Sequence, residues 1–202
     1  MKNVLFLWII MPLHSILAQP ELSNSISHSG NKINVVHMQV LGNVSVMNAT
    51  SDKIELDYEV KATGTVWGFS NKTKELIYLP KMSAQADTLN ITFDQKKLWV
   101  VGIYTYSEEI SHVLLVPKNV HLILETTGKV VFNSSCLKVT IKNASSTFLN
   151  IRKNETSKII CEATEGKVDL NGVEKRNSFE YATDKPGNEY YVKSKRIQVN
   201  LN

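Results

Sequence analysis

The feature that most constrains this chain is an alternation of apolar and polar residues that recurs in nearly every segment. In the stretch KIELDYEVKA, charged residues alternate with four apolar ones, Ile54, Leu56, Tyr58 and Val60. Successive side chains of a β-strand point to opposite faces, so this alternation predicts a strand with one buried face. No stretch shows an apolar face with the 3.6-residue period of a helix over three turns. The sequence therefore predicts an all-β domain over residues 33–202.

After Pro117, the same alternation is organised into a unit of two short strands that is used four times. The four units span residues 122–132, 139–151, 159–170 and 190–201. A single unit of this size cannot bury a core, whereas stacked units share a continuous apolar interior. This pattern predicts a β-solenoid-like stack of two-strand repeats over 117–202, preceded by a more irregular sheet over 33–116. An antiparallel β-sandwich is the alternative architecture.

The first residues have the layout of a secretory signal peptide, which we place at 1–18. Lys2 precedes an apolar run over 4–17, and Ala18 follows it. A membrane-spanning helix needs about 20 apolar residues, so this run is short for an anchor. We expect an exported protein with no transmembrane segment in the mature chain. The serine- and asparagine-rich stretch 19–32 is predicted to be a flexible lead.

Charge and composition exclude several classes of protein. Hydrophobic residues make up 43% of the chain, which is typical of a globular protein and not of a disordered one. The 23 basic residues exceed the 19 acidic residues only slightly, and they cluster only at Lys193, Lys195 and Arg196. Proteins that bind nucleic acid usually carry a dense basic face with interleaved aromatic residues. We therefore expect no nucleic-acid partner.

The candidate metal and redox residues are two cysteines and two histidines. Cys136 and Cys161 could pair in an exported protein, but a free cysteine is also common in a protein core. The sequence leaves both alternatives open, although Cys161 falls on the inward side of its unit. His112 and His121 flank Pro117, and two imidazoles alone make a poor metal site. We expect no metal and no cofactor.

Three stretches resemble a known family. They are VLGNVSVMNATSDKIELDY at 40–58, VPKNVHLILETTGKV at 116–130 and ATEGKVDLNG at 163–172. They are similar to the "putative adhesin" domains of bacterial cell envelopes, a family of unknown function related to the head domain of auto-transporter adhesins. The resemblance implies a mostly β, solenoid-like fold on a periplasmic, cell-surface or secreted protein. The chain departs from the family pattern in NASS at 143–146, where a glycine turn would be expected.

Motifs for catalysis are missing from the sequence. It contains no glycine-rich phosphate loop, no paired histidines on a helix and no nucleophile elbow, so we expect a protein that is not an enzyme. A carbohydrate-active enzyme on a β-solenoid is the less favoured alternative. It would need acidic residues that converge on one outward face, and the candidates are Asp169, Glu180 and Asp184.

Aromatic residues give the best indication of a ligand site. Trp67 and Phe69 lie on the same side of a strand in TVWGFSNK, and flat rings on a β surface can stack against sugar rings. The alternative is that both rings fill the core where the first sheet meets the repeats. The chain also contains seven Asn-x-Ser/Thr sequons, at Asn43, Asn48, Asn71, Asn90, Asn133, Asn143 and Asn154. They are glycosylation acceptors in a eukaryotic secretory pathway and otherwise only mark a polar surface.

Together, these observations predict a non-enzymatic envelope or secreted protein. Its rigid β scaffold would present a face rich in hydroxyl and amide groups to a protein or a glycan. The alternative is a structural or signalling partner of an envelope protein.

Overall fold

The computed structural model describes residues 15–16, 21–30, 32–70, 78–95 and 100–202, and the side chains of 24–30, 32–61, 79–93 and 107–202. The strands are β1 (Ser15–Ile16), β2 (Glu21–Ser29), β3 (Val35–Val40), β4 (Asn43–Asn48), β5 (Lys53–Ser70), β6 (Tyr78–Gln85), β7 (Thr88–Gln95), β8 (Val100–Val116), β9 (His121–Thr126), β10 (Val130–Asn133), β11 (Lys138–Ile151), β12 (Thr156–Ala163), β13 (Val168–Leu170), β14 (Val173–Glu174), β15 (Ser178–Ala182) and β16 (Asn188–Leu201). Within these ranges, the one helical element is the 3-10 turn Lys153–Glu155, and no helix is long and apolar enough to cross a membrane. The all-β prediction is confirmed. Most of the predicted signal peptide, 1–14 and 17–18, lies outside the described residues.

All of the described strands belong to one mixed sheet that nearly closes on itself, and two runs of parallel strands form its centre. The first run has the order β7, β3, β9, first half of β11, first half of β16 and β12. The second run has the order β8, β4, β10, second half of β11, second half of β16 and β13. Antiparallel strands extend both runs, with β6 and β15 on the first and β5, β2 and β14 on the second.

The predicted stack of repeats is not confirmed as a regular solenoid. The last strand, β16, lies between β11 and β12, so the order of the units in space differs from their order along the chain. The physical reason is that β15 occupies the outer edge of β12 in antiparallel pairing, which leaves the inner edge of β12 for β16. A further unit, β3 and β4, lies before Pro117 and pairs in register with β9 and β10. The antiparallel sandwich has no support in this pattern, because the central pairs are parallel.

One apolar core fills the space between the two runs. Most inward residues of the units are buried, and Val130, Leu149, Val168 and Val199 are completely buried, whereas Leu170 and Leu201 are partly buried. Burial of one such side chain contributes about 1.5–3 kcal/mol. Phe132 from the second run and Tyr190 from the first meet edge to face, with ring centroids 5.9 Å apart. The core therefore joins the two runs directly.

Both cysteines are buried and free, which decides between the two alternatives left open by the sequence. Burial raises the pKa of the Cys136 thiol to about 11 and that of Cys161 to about 12. Thiols with such pKa values stay protonated at neutral pH and react poorly. The two residues therefore act as small apolar side chains of the core.

The segment 19–32, which is predicted to be a flexible lead, contains a strand. Residues Glu21–Ser29 form β2, which pairs antiparallel with β5 from Glu21 opposite Lys61 to Ser29 opposite Lys53. Ile26 packs against the core. The backbone groups along the edge of β5 are satisfied by this ladder, and this is why a polar segment with few apolar residues is held in place.

The corner between β3 and β4 depends on glycine. Gly42 has a φ of +85°, and a Cβ at this position would lie 2.2 Å from the carbonyl oxygen of Ile110. The hydroxyl of Thr126 donates a hydrogen bond to the carbonyl oxygen of Gly42 at 2.6 Å, and Gly128 packs directly against the same peptide unit. The corner leaves no room for a side chain.

We expect Gly42→Ala to destabilise the protein far more than Gly166→Ala. Gly166 also has a positive φ, +91°, but a Cβ there meets no atom within 4 Å. Gly166→Ala therefore carries only the backbone cost of about 1 kcal/mol, whereas Gly42→Ala adds a steric clash and should cost roughly 3 kcal/mol or more. Denaturant unfolding of both variants measures the difference. Equal losses would contradict the close packing at the corner.

His112 is a buried titratable residue that faces the core. Its side chain is 2% exposed, and its Nδ1 donates a hydrogen bond to the carbonyl oxygen of Asn43 at 3.0 Å. Burial lowers its pKa from 6.5 to about 4, against the smaller opposing effect of the bond to Asn43. The folded protein therefore holds this imidazole neutral at pH values at which the unfolded chain is protonated.

The free energy of unfolding should fall as the pH is lowered from about 6.5 to about 4. In this window the unfolded chain binds more protons than the folded protein, and the full effect of His112 is roughly 3 kcal/mol. In His112→Asn, the amide keeps a donor for the carbonyl of Asn43 but does not titrate, so this part of the pH dependence should disappear. Unfolding curves between pH 4 and pH 7 measure it. If the free energy of unfolding of His112→Asn falls with pH as steeply as that of the wild type, another titratable group is responsible for the pH dependence.

Candidate binding surface

The predicted aromatic site lies only partly within the described structure. The backbones of Trp67 and Phe69 belong to β5, where they pair with Ile103 and Val101 of β8. Their side chains lie outside the described residues. The proposed ligand-binding role of the two rings therefore stays a prediction.

The structure does not bring the two candidate metal ligands together. His112 points into the core from β8, whereas His121 lies on the outer face of the first run, on β9. His121 Nε2 lies 3.3 Å from the hydroxyl of Thr140, and partial burial lowers its pKa, with a smaller effect from Lys138. Among the described residues, no group of three or more His, Cys, Asp or Glu side chains could hold a metal ion.

The three acidic residues considered for catalysis divide between the two runs. Asp169 lies on β13 in the second run, and its Oδ1 accepts a hydrogen bond from the backbone N–H of Gly172 at 2.7 Å. Glu180 on β15 and Asp184 in the following loop line a groove of about 560 Å³ beside the first run. The arrangement separates Asp169 from the other two carboxylates.

A row of asparagine side chains crosses the second run on its outer face. Asn150 Nδ2 donates to Asn133 Oδ1 at 2.5 Å, and Asn200 Nδ2 donates to Asn150 Oδ1 at 2.6 Å. Asn171 continues the row and binds the backbone of Leu201, with Oδ1 accepting from N–H at 2.8 Å and Nδ2 donating to the carbonyl at 3.2 Å. We call Asn133, Asn150, Asn200 and Asn171 the amide row.

The amide row keeps hydrogen-bonding capacity for a ligand. An asparagine amide has two N–H donors and an oxygen with two lone pairs. Asn150 uses one N–H donor for its hydrogen bond to Asn133 and one oxygen lone pair for its hydrogen bond from Asn200. The remaining donor and lone pair are available on the half-exposed outer face. Because neighbouring strands are about 4.8 Å apart, the row presents such groups at a regular spacing.

An apolar strip borders the amide row on the same face. Val131 and Phe148 lie side by side on β10 and β11, and Met47 on β4 is 41% exposed. The ammonium group of Lys129 lies 4.5 Å above the ring of Phe148. The outer face of the second run therefore combines amide groups with apolar contact area.

The outer face of the first run is dominated by ion pairs between neighbouring strands. Lys142 pairs with Glu125 at 3.0 Å, and Lys193 pairs with Glu162 at 2.8 Å. These four residues lie side by side in register across β9, β11, β16 and β12. Exposed pairs of this kind contribute about 0–1 kcal/mol each to stability. Their charges are largely satisfied within the protein.

Tyr191 is the one aromatic residue at the centre of the first run's outer face within the described side chains. The ammonium groups of Lys138 and Lys158 lie 5.4 Å and 5.7 Å from its ring centroid. Its hydroxyl donates a hydrogen bond to Glu189 Oε2 at 3.1 Å. The ring and the hydroxyl of Tyr191 are therefore already engaged within the protein.

The amide row does not follow from the alternation of apolar and polar residues, although the sequence contains a separate signal for it. In each unit of the second half, an asparagine directly follows an inward apolar residue of the second strand, and these four apolar residues lie in register. The four pairs are Phe132-Asn133, Leu149-Asn150, Leu170-Asn171 and Val199-Asn200. Alignment of the units on their inward residues would have placed these amides at one level.

Comparison with known proteins supports the fold. No family model matches the chain, and no curated protein matches it. A solved structure from Clostridium sporogenes ATCC 15579, described as a "putative cell adhesion protein", has a TM-score of 0.55 at 12% identity and covers 92% of this chain and 100% of its own. A structure from Bacteroides fragilis NCTC 9343, described as a "putative adhesin", has a TM-score of 0.36 at 11% identity over 90% and 97%. The first likeness shows a shared fold, and it confirms the resemblance seen in the sequence at the level of the fold.

We expect Asn150→Ala to destabilise the protein more than Asn133→Ala, because Asn150 forms two bonds of the row and Asn133 forms one. The expected losses are about 2 kcal/mol for Asn150 and about 1 kcal/mol for Asn133. Asn177→Ala, at an exposed turn position outside the row, serves as the control and should change stability by less than about 0.5 kcal/mol. Denaturant unfolding gives the three values. If Asn150→Ala and Asn133→Ala lower the free energy of unfolding no more than the control Asn177→Ala does, the row contributes nothing to stability.

Proposed function

We propose that this chain is an exported, non-enzymatic, adhesin-like scaffold that binds a hydroxyl-rich glycan through the outer face of its second run. The observation that carries the proposal is the amide row. Sugar hydroxyl groups both donate and accept hydrogen bonds, and each inner amide of the row keeps one donor and one acceptor for them. The row is held by its own hydrogen bonds and by the parallel strands beneath it, so it is organised before a ligand binds.

Two further observations support this proposal. The chain shares its fold over 92% of its length with a structure described as a "putative cell adhesion protein". The apolar start of the sequence is the support for export.

A protein partner in the cell envelope is the second candidate. The observation that favours it is the apolar strip of Met47, Val131 and Phe148 beside the amide row, because exposed apolar area is typical of protein contact surfaces. In this alternative, the chain would be a structural or signalling partner of an envelope protein.

A glycan array with the purified protein tests the proposal. We expect binding to a defined group of glycans and a loss of about tenfold or more in Asn150→Leu, which keeps the size of the side chain but removes its donors and its acceptor. Asn177→Ala is the matched control and should bind like the wild type. Trp67→Ala on the same array tests the predicted aromatic site separately.

Absence of glycan binding in the wild-type protein would count against the proposal. A reproducible protein partner recovered from envelope extract, together with an empty array, would select the second candidate. Equal binding by wild type and Asn150→Leu would show that the amide row is not the site.

A further inference from the structure

A cleft of about 730 Å³ lies at the strand ends next to the amide row. Arg152 and Asn202 line it, and each follows a residue of the amide row, Asn150 or Asn200, by two positions. Two residues of extended chain span about 7 Å, and both have their side chains on the same face. The amide row therefore leads directly to the cleft.

Hydrogen bonds between the segments around the cleft hold its walls. The backbone N–H of Lys153 donates to the backbone oxygen of Asn202 at 2.7 Å. On the other side, the hydroxyl of Ser157 donates to the carbonyl of Gly187 at 2.9 Å, and the N–H of Thr183 donates to the carbonyl of Ser157 at 2.9 Å. These bonds are made within the protein, and the cleft volume is in the range of about 300–1,000 Å³ that is usual for small-ligand sites.

The side chains that line the cleft include three cations and no acid. They are Arg152, Lys153 and Lys185. Arg152 Nη1 pairs with Glu155 Oε1 at 2.9 Å, and this hydrogen bond lowers the pKa of Glu155. Within the described part of the chain, no ion pair joins Lys153 or Lys185 to a carboxylate. This contrasts with the paired lysines of the first run and leaves two positive charges for an anion.

The cleft also offers an aromatic wall and polar groups that bind no other part of the described protein. Tyr181 packs its ring partly against the core, which restricts its orientation, and Pro186 also lines the cleft. The Tyr181 hydroxyl and the Asn154 amide form no hydrogen bond with another described residue. A rigid ring beside free donors suits a sugar ring, whose apolar face stacks while its hydroxyl groups form hydrogen bonds.

We propose that the cleft binds the carboxylate-bearing sugar of an acidic glycan, such as a uronic acid. Lys153 and Lys185 would hold the carboxylate, Tyr181 would contact the ring, and neighbouring sugars would follow the amide row. This inference rests on the proposed function and adds the charge class of the glycan and a second subsite. The cations come from two separate segments, with hydroxyl and amide groups between them, which fits a sugar acid better than a small inorganic anion.

Calorimetric titration with an oligogalacturonate, in about 0.15 M salt, tests this inference. The same oligosaccharide with its carboxyl groups reduced to alcohols is the neutral probe. We expect the wild-type protein to bind the acidic probe about tenfold or more tightly than the neutral one. The double variant Lys153→Gln/Lys185→Gln should lose this preference and keep the weaker binding of the neutral probe.

The matched control is Lys142→Gln/Lys193→Gln, which changes the net charge equally but alters the paired face of the first run. It should keep the preference for the acidic probe within about twofold. Equal losses in both double variants would overturn the inference, because they would indicate attraction by net charge alone. Displacement of the oligosaccharide by inorganic phosphate at similar concentration would also overturn it, because the cleft would then be a general anion site.

The binding results distinguish a failure of this inference from a failure of the proposed function. If the cleft does not bind acidic sugars, the acidic and neutral probes bind alike and both depend on Asn150. If the proposed function fails, neither probe binds, or binding is the same in Asn150→Leu. All four lysines are exposed or half-exposed, so the variants should fold, and their unfolding curves verify this.

Discussion

In-register parallel pairing of short strands is the constraint on which the rest of this structure depends. Equivalent residues of successive units lie side by side, so Val130, Thr147 and Ile197 form one inward level. One unit offers too little apolar area for a core, and burial becomes favourable only when several units share an interior. A shift of one residue would turn every inward side chain to solvent, and this is why the register is strongly specified.

The same register organises the outside of the protein. Any residue type that recurs at an outward position becomes a continuous row, as in the amide row and in the lysine-glutamate pairs of the first run. The two rows differ in what they leave for a partner. The charges of the first run are paired with each other, whereas the amides of the second run keep donors and acceptors. The proposed glycan surface is the amide row itself, and the proposed acidic-sugar cleft lies at the strand ends next to it.

The alternation of inward and outward residues is interrupted at the corners between the two runs, and the chain does this in two ways. Between β3 and β4, Gly42 allows a positive φ in a space without room for a side chain. In β11, where the family pattern suggested a glycine, the Asn143 amide binds the backbone of Ser145 and Ser146 and the hydroxyl of Thr147. The register shifts at this point without leaving a buried polar group unsatisfied. The resulting cluster is a polar substitute for a glycine turn.

The sequence by itself determined most of the strands and which side of them is buried, because alternation is a local property that the backbone geometry converts directly into faces; β2, in the polar lead, is the exception. Val130, Leu149 and Val199 lie on the apolar side of this alternation, and they are buried. Only the tertiary structure decided which strands pair, that β16 lies between β11 and β12, and that the two thiols stay apart. Backbone hydrogen bonds are chemically alike in every pairing, so alternation alone does not distinguish one partner strand from another. The repeated asparagines are present in the sequence, but their hydrogen-bonded row and the cleft beside it follow from that choice of partner strands.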